Sequence, residues 1–132
     1  MISTPRPSLS AEEAEAFARE WIAAWNSGDL ERILSHYDDD FEMRSPLIAE
    51  RGFSSDGCLR GKAAVRPYWA VGLAARPPLH FELIGVHVGV NAIAICYRSV
   101  GRARLVVERI QFGEDAKAIC AEALYRADPD GA

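Results

Sequence analysis

The sequence predicts an α+β fold in which helices pack on one face of a curved antiparallel sheet. In the first half of the chain, apolar residues recur every three or four positions, which is typical of amphipathic helices. In the second half, closely spaced alternating segments are separated by short glycine-containing turns, which indicates an antiparallel meander. The chain has 132 residues, 49% hydrophobic and 26% charged, and this suits one globular domain. We therefore expect a single domain over 1–132 with a loose N-terminal arm over 1–9.

Local signals place three helices. Ser10 and Glu13 fit a capping box that begins the first helix, and Gly28 is a natural end for it. Asp29 can cap a second helix. In the third, Pro67 should cause a kink or mark a restart after a short first turn. The predicted helices cover 11–27, 30–37 and 62–75.

The first predicted strand, 40–47, places Phe41, Met43 and Ser45 on one buried side. A small polar residue at the end of this row means that the strand either leaves the core there or reaches a pocket. Residues 48–60 are irregular, and a loop of this length is either a lid or binding loop or simply mobile. The four later strands are predicted at 79–89, 91–100, 103–112 and 117–126.

Composition excludes several classes of function. The net charge of −4 gives no basic footprint for nucleic acid. No apolar run approaches the roughly 20 residues that span a bilayer, and the N-terminus has no signal-peptide core. Three cysteines, Cys58, Cys96 and Cys120, are an odd number without metal-ligand spacing, so a reducing cytoplasm is the simplest setting. We expect neither nucleic acid nor membrane as a partner.

The histidines and glycines predict no metal or cofactor site. His36, His80 and His87 form no HxH or HxxxH pair. His87, between two valines, fits a packed or interface residue, and His36 fits a surface group. No glycine-rich phosphate or dinucleotide motif occurs. We therefore expect no metal and no cofactor.

Glu108 is the candidate catalytic residue. Within 104–112 it shares a strand face with Arg104, Val106, Ile110 and Phe112. A turn near residue 101 would place Ile93, Ile95 and Tyr97 beside Glu108, Val106 and Arg104, respectively. Apolar surroundings would raise the pKa of the carboxyl into the range of acid–base work. The alternative is a Glu108 paired with Arg44, Arg104 or Arg109.

An aromatic-rich set is the candidate ligand-binding surface. Such side chains, with a few polar tips, either fill a core or line an apolar pocket. Tyr97 and Tyr125 could supply hydroxyl donors. The predicted ligand-binding residues are Trp21, Trp25, Tyr37, Met43, Ser45, Trp69, Phe81, Tyr97 and Tyr125.

Several segments in order resemble the nuclear transport factor 2-like superfamily, in particular its SnoaL-like branch. They are WIAAWNSGD at 21–29, HYDDDF at 36–41, LRGKAAVR at 59–66, ERIQF at 108–112 and ALY at 123–125. The resemblance implies a cone-shaped half-barrel that encloses an apolar pocket, with three helices on its concave side. It also implies a homodimer built through the outer sheet face. Such proteins include ketosteroid isomerases, polyketide cyclases, epoxide hydrolases and purely binding or scaffolding modules, so fold does not settle function.

The ketosteroid isomerase pattern fits this chain only in part. Such enzymes use an Asp base on the first strand, with a Tyr and a protonated Asp that donate to the enolate oxygen. By resemblance, these positions fall at Ser45, Trp21 and Glu108. A serine hydroxyl cannot take a carbon-bound proton unaided, and indole donates through one N–H. Steroid-type isomerisation by that mechanism is therefore not expected.

Two functions remain open at this stage. The first is cofactor-free acid–base chemistry (an isomerase, cyclase or hydrolase) on a small apolar, carbonyl-bearing molecule, with Glu108 as acid or base and Tyr97 or Tyr125 assisting. The alternative is a non-catalytic module that binds an apolar metabolite or only dimerises. Alternating apolar residues on the outer sheet face, Ala92, Ala94, Leu105 and Val107, predict the homodimer.

Overall fold

The computed structural model describes residues 9–102 and 104–127. Residues 1–8 of the predicted arm lie outside this range, whereas Leu9 packs against the core and is not part of a loose arm. The helices are α1 (Ala11–Ser27), α2 (Leu30–Leu34), α3 (Pro46–Glu50) and α4 (Lys62–Leu73). The strands are β1 (Tyr37–Arg44), β2 (Cys58–Arg60), β3 (Phe81–Val88), β4 (Ala92–Ser99), β5 (Arg104–Phe112) and β6 (Ala118–Tyr125).

Helix α1 confirms the predicted bounds. The Ser10 hydroxyl accepts from the Glu13 amide at 3.0 Å, and the Glu13 carboxylate accepts from the Ser10 amide at 3.0 Å. These two bonds satisfy donors that a helix N-terminus leaves free. Gly28 ends the helix in the left-handed region, at φ 75°, where a residue without Cβ avoids strain.

Several boundaries differ from the sequence prediction: β1 begins at Tyr37, three residues early, and α4 ends at Leu73, two residues early. Helix α2 ends at Leu34, three residues earlier than predicted, because Tyr37 already belongs to β1 and is fully buried there. Strand β1 ends at Arg44 and does not continue to residue 47. Pro46 lacks an amide hydrogen, and Ser45 instead caps α3 by accepting from the Leu47 amide at 3.2 Å.

The segment predicted as irregular contains ordered structure. Helix α3 occupies its beginning, and β2 pairs antiparallel with β1 at its end. Gly57 returns the chain towards β1: its carbonyl accepts from the Ser45 amide at 2.9 Å, and its φ is 74°. A Cβ there would lie 3.1 Å from the Ser45 carbonyl oxygen. This close approach explains a glycine at the position.

The six strands form one sheet in the order β2-β1-β6-β5-β4-β3. The last four strands confirm the predicted meander to within two residues, although residue 103, the first of the third predicted strand, lies outside the described residues. Four of the five pairings are antiparallel, but β1 runs parallel to β6, so the sheet is mixed. Register shifts within β3 and β6 mark bulges, which bend a sheet. The α+β prediction is confirmed, with a fourth short helix added.

The register of β4 against β5 differs by two residues from the prediction. Ile95 lies opposite Glu108, Tyr97 opposite Val106 and Ser99 opposite Arg104. The predicted faces hold, because a shift of two keeps each side chain on its own face. Four residues separate the observed pair Ser99 and Arg104, whereas the predicted pair Tyr97 and Arg104 left six between them.

The core lies between the inner face of the sheet and helices α1 and α4. Its largest fully buried side chains include Trp21, Tyr37, Phe41 and Ile110. On the opposite, outer face, Ile84 is 59% exposed and Leu124 is 46% exposed. Within the described residues, none of the helices combines the length and apolarity needed to cross a bilayer.

Candidate functional site

A cavity of about 170 Å³ opens between the inner face of the sheet and helices α1 and α4. Eight of the ten residues predicted for the site line it. They are Trp21, Trp25, Met43, Trp69, Phe81, Tyr97, Glu108 and Tyr125. The hollow is therefore not filled by tryptophans, and residues from both halves of the sequence meet around it.

Tyr37 and Ser45 do not line the cavity but lie behind its wall. Tyr37 is fully buried, and its hydroxyl accepts from the Trp21 indole N–H at 2.9 Å. Ser45 is 3% exposed and accepts from the Tyr68 hydroxyl at 3.3 Å. Both residues therefore position pocket residues: Tyr37 orients Trp21, and Ser45 orients Tyr68.

Aromatic rings build the apolar part of the wall. Phe81 and Tyr97 lie 4.5 Å apart between ring centroids, and Trp21 and Tyr97 lie 5.2 Å apart. Trp25 meets Trp69 edge to face at 5.1 Å. These offset and edge-on distances are those at which aromatic pairs attract one another, so the rings hold the wall in one arrangement.

Glu108 is the one carboxylate among the described lining residues. It is 4% exposed and stands on β5 between Ile95 of β4 and Ala123 of β6. Burial raises its pKa to about 8, and a hydrogen bond from the Tyr97 hydroxyl at 3.4 Å opposes this only weakly. At neutral pH the carboxyl is therefore mostly protonated and can donate a hydrogen bond.

No arginine of the described residues pairs with Glu108. Arg44 instead contacts Glu42 on the outer face at 2.8 Å. Arg109 points to the same outer face, because it follows Glu108 on the strand and is exposed. Arg104 lies over the Tyr125 ring at 4.7 Å. The alternative of an arginine-paired Glu108 is thus wrong for this structure.

Three tyrosines that line the cavity keep their hydroxyl protons. Burial raises the pKa of Tyr125 to about 12 and raises those of Tyr97 and Tyr68 as well. A nearby Glu108 charge would raise all three pKa values further. These hydroxyl groups therefore serve as donors or acceptors and do not act as phenolate bases at neutral pH.

Sequence reasoning missed Tyr68 and three arginines of the site. Tyr68 precedes Trp69 on α4 and is 4% exposed; the helical pattern predicts it as an inward residue, but it is not among the predicted ligand-binding residues. Arg51 follows α3, in the segment whose structure the sequence did not reveal. Arg102 lies in the β4–β5 turn and Arg104 begins β5; the sequence placed Arg104 on the face of Glu108 but did not indicate that it lines the cavity. The mouth of the cavity is thus the part that local patterns did not predict.

The histidines contribute nothing to the cavity. His80 and His87 are exposed, so His87 is not packed in the monomer. His36 is half-buried and contacts Glu20 at 3.1 Å, so it is not a simple surface group. Among residues 9–102 and 104–127, no group of three potential ligands could hold a metal ion.

Comparison with known proteins places the chain in a family. The model of the SnoaL-like domain matches residues 18–126. A SnoaL-like protein of unknown function from Burkholderia thailandensis is 44% identical, with a TM-score of 0.86 over 92% of this chain and 100% of that one. No curated protein matches.

More distant structures share the fold. An NTF-2-like protein of unknown function from Burkholderia xenovorans is 20% identical, with a TM-score of 0.68 over 92% of this chain and 89% of that one. A candidate ketosteroid isomerase from Kribbella flavida is 12% identical, with a TM-score of 0.64 over 89% and 81%, respectively. At these identities the likeness concerns fold alone.

Proposed function

This chain belongs to the SnoaL-like domain family, and we propose that it binds a small, largely apolar, carbonyl-bearing molecule in the cavity. The neutral Glu108 carboxyl donates a hydrogen bond to the carbonyl oxygen, while the tryptophan, phenylalanine and tyrosine rings hold the apolar part. No cofactor takes part in this proposal. A donor aimed at a carbonyl stabilises negative charge on that oxygen, as enolisation requires.

One observation carries the proposal: an acid without a cationic partner is buried in the wall of an aromatic cavity. A carboxyl that served only stability would be paired or exposed, because burying a polar group without partners costs about 1–3 kcal/mol. Among the described residues, Glu108 has one long hydrogen bond, which it accepts from the Tyr97 hydroxyl at 3.4 Å. A ligand oxygen would accept the hydrogen bond that the protonated carboxyl itself can donate.

The volume of the cavity limits the size of the ligand. A cavity of about 150 Å³ in another protein accommodates benzene, whereas drug-sized ligands occupy roughly 300–1,000 Å³. At about 170 Å³, the cavity suits a single ring with small substituents. This supports a monocyclic ligand over a steroid or a polycyclic polyketide.

A second candidate, binding without catalysis, is favoured by a different observation. Where the ketosteroid isomerase pattern has its base, Ser45 lies behind the wall and is engaged by Tyr68 and the α3 cap. Among the described lining residues, no second carboxylate and no histidine supplies a base. Catalysis would then rely on a base from the ligand or from water.

Binding is tested with acetophenone and the matched hydrocarbon ethylbenzene, followed by tryptophan fluorescence at pH 6 and pH 9. We expect acetophenone to bind more weakly at pH 9, because Glu108 ionises through about 8 and loses its donor. Ethylbenzene should bind independently of pH. Glu108→Gln, whose amide still donates, should bind acetophenone equally at both values. Failure of both compounds to bind would refute the proposal.

The two candidates are separated by proton exchange. In D₂O, a polarised carbonyl speeds exchange of the methyl protons of bound acetophenone, and NMR follows the loss of their signal. Acceleration by the unaltered chain, reduced in Glu108→Leu, supports acid catalysis. Binding without acceleration leaves the non-catalytic module as the function.

We also propose that the chain forms a homodimer through the outer face of the sheet and that it functions in the cytoplasm. Ile84 and Leu124 expose apolar surface there, while Ala94 and Val107 are half-buried. All three cysteines are free thiols, which supports a reducing compartment. Sedimentation at micromolar concentration tests the dimer, and a monomer alone would exclude it.

A further inference from the structure

Three arginines surround the opening of the cavity. Arg51 follows α3, Arg102 lies in the β4–β5 turn and Arg104 begins β5, and all three are exposed lining residues. Within the described part of the chain, no carboxylate forms an ion pair with any of them. Five other arginines do have carboxylate partners: Arg19, Arg32, Arg44, Arg60 and Arg66. The charge at the mouth is thus uncompensated, although the whole chain carries −4.

Contacts with aromatic rings keep two of these guanidinium groups at the mouth. Arg104 lies 4.7 Å from the centroid of the Tyr125 ring, and Arg51 lies 5.7 Å from that of Tyr68. Both rings line the same cavity. Stacking on an aromatic face leaves the edge N–H donors of a guanidinium free for a carboxylate.

Alternate residues of β5 place Arg104 at the mouth of the cavity and Glu108 further inside. Arg104, Val106 and Glu108 project to the inner face, and Ile110 and Phe112 follow them into the core. At about 3.3 Å per residue, the Cα atoms of Arg104 and Glu108 are separated by about 13 Å. Because the Arg104 side chain is long, the distance from its guanidinium group to the Glu108 carboxyl can be shorter than the distance between the Cα atoms. One ring with two substituents can therefore span these two groups.

Donors also predominate among the polar groups of the wall. The Trp25 indole N–H is buried and has no hydrogen-bond partner among the described residues. The neutral Glu108 carboxyl can donate as well, whereas the Tyr68 and Tyr97 hydroxyls already donate to Ser45 and Glu108, respectively. A pocket of this kind complements a molecule that carries mainly acceptor oxygens.

We infer that the ligand is a monocyclic acid, in which a ring bearing a carbonyl near Glu108 carries a carboxylate that binds Arg51, Arg102 and Arg104. This inference rests on the proposed function and adds the substrate class to it. The carboxylate remains at the wet opening, where little desolvation opposes its pairing. Planar guanidinium groups can bind it through two parallel hydrogen bonds.

Matched neutral and anionic probes test the inference. Acetophenone and 4-acetylbenzoate share a ring and a carbonyl and differ by one carboxylate. At low salt and pH 6 we expect 4-acetylbenzoate to bind about ten-fold more tightly, as a difference of 1.4 kcal/mol gives. This advantage should shrink in 0.5 M NaCl, because exposed charges are screened. Acetophenone should be unaffected by salt.

Substitutions of the mouth arginines test which residues cause the tighter binding of the anion. Arg51→Gln and Arg104→Gln should each remove most of the advantage of the anion, measured as the ratio of 4-acetylbenzoate affinity to acetophenone affinity in the same variant. Arg19→Gln is the control, because it removes the same charge from an exposed α1 ion pair away from the cavity. A loss of the advantage in that control as well would indicate a general charge effect and overturn the inference.

The outcomes separate this inference from the function on which it rests. Equal binding of the two probes, with acetophenone bound in a pH-dependent manner, overturns the acid as ligand and leaves the carbonyl proposal standing. Failure of both probes to bind overturns both. Tighter anion binding that depends on Arg51 and Arg104 supports the monocyclic acid.

Discussion

The inner and outer faces of the sheet shift the pKa of a glutamate in opposite directions. On the inner face, Glu108 is buried among apolar neighbours, and its pKa is raised to about 8. On the outer face, Glu42 is also partly buried, which by itself would raise its pKa, but Arg44, Cys58 and Arg60 outweigh this and lower it. Glu42 lies 2.8 Å from Arg44 and 2.7 Å from Arg60. Burial and cations therefore both distinguish the two residues: Glu108 is fully buried without a cation, whereas Glu42 is only partly buried and lies beside two arginines.

This difference indicates where chemistry can take place. A glutamate between arginines remains a carboxylate throughout the neutral range and contributes to the surface. A fully buried glutamate without a cation keeps its proton at neutral pH and can donate a hydrogen bond. Two of the arginines at the opening, Arg51 and Arg104, lie over tyrosine rings and do not pair with Glu108.

The largest predicted effect is on the pH dependence of stability. The folded state holds the Glu108 proton up to about pH 8, whereas the unfolded chain releases it near 4.5. Stability therefore falls as pH rises from about 4.5 to about 8. We expect Glu108→Gln to lack this fall and to exceed the unaltered chain at pH 8 by several kcal/mol, at most about 5. Urea unfolding at pH 5 and pH 8 measures the difference.

Glu42→Gln is the control with the opposite sign. The pKa of Glu42 is lowered on folding, so its stabilisation is present above its unfolded value and is lost as pH falls through the folded one. The variant should be less stable at pH 7, and the gap should close in acid. A pH-independent gap for Glu108→Gln would mean that Glu108 is ionised in the folded protein.

A second contrast concerns apolar residues on the two faces. Ile110, on the inner face of β5, is fully buried, whereas Ile84, on the outer face of β3, is 59% exposed. Ile110→Ala should lower the free energy of unfolding by about 2–5 kcal/mol. Ile84→Ala should change that of the monomer by no more than about 0.5 kcal/mol. Urea unfolding at low protein concentration provides both values.

Urea unfolding of Ile84→Ala at high protein concentration tests whether the outer face forms the dimer. If two chains meet through the outer face, the variant should lose stability only at high concentration, where association contributes. A concentration-independent result for the unaltered chain would contradict the dimer. A loss for Ile84→Ala as large as that for Ile110→Ala would contradict the assigned faces.

How much the sequence could predict depends on the range of the interaction. The capping box fixed α1, and alternation placed Glu108 on the inner face of β5, because both are set by residues a few positions apart. Ser45 and Pro46 contained the signal for α3, a cap followed by proline, but the strand pattern concealed it. The parallel pairing of β1 with β6 joins residues about 80 positions apart, and no local pattern encodes it.

The same distinction between local and long-range interactions applies to the candidate site. Its floor could be predicted, because aromatic residues and an alternating glutamate are visible in sequence. Its mouth could not, because Arg51 comes from one segment and Arg102 and Arg104 from another, and the two segments meet only in the folded chain. Tyr37 shows the same limit. The sequence predicts a buried aromatic residue there, and the structure agrees. That Tyr37 contacts Trp21 and not the cavity depends on the position of α1.

The smallest predicted effect compares hydrogen-bonded and unbonded indoles on the inner face. Trp21 donates to the Tyr37 hydroxyl at 2.9 Å, whereas the Trp25 N–H has no partner among the described residues. Tyr37→Phe leaves a second buried N–H without an acceptor, so it should lower stability by about 1–3 kcal/mol, as measured by urea unfolding. Tyr125→Phe is the control, because no indole depends on its hydroxyl. If Tyr37→Phe costs no more than this control, Trp21 is held by packing alone, and Tyr37 does not orient the cavity wall.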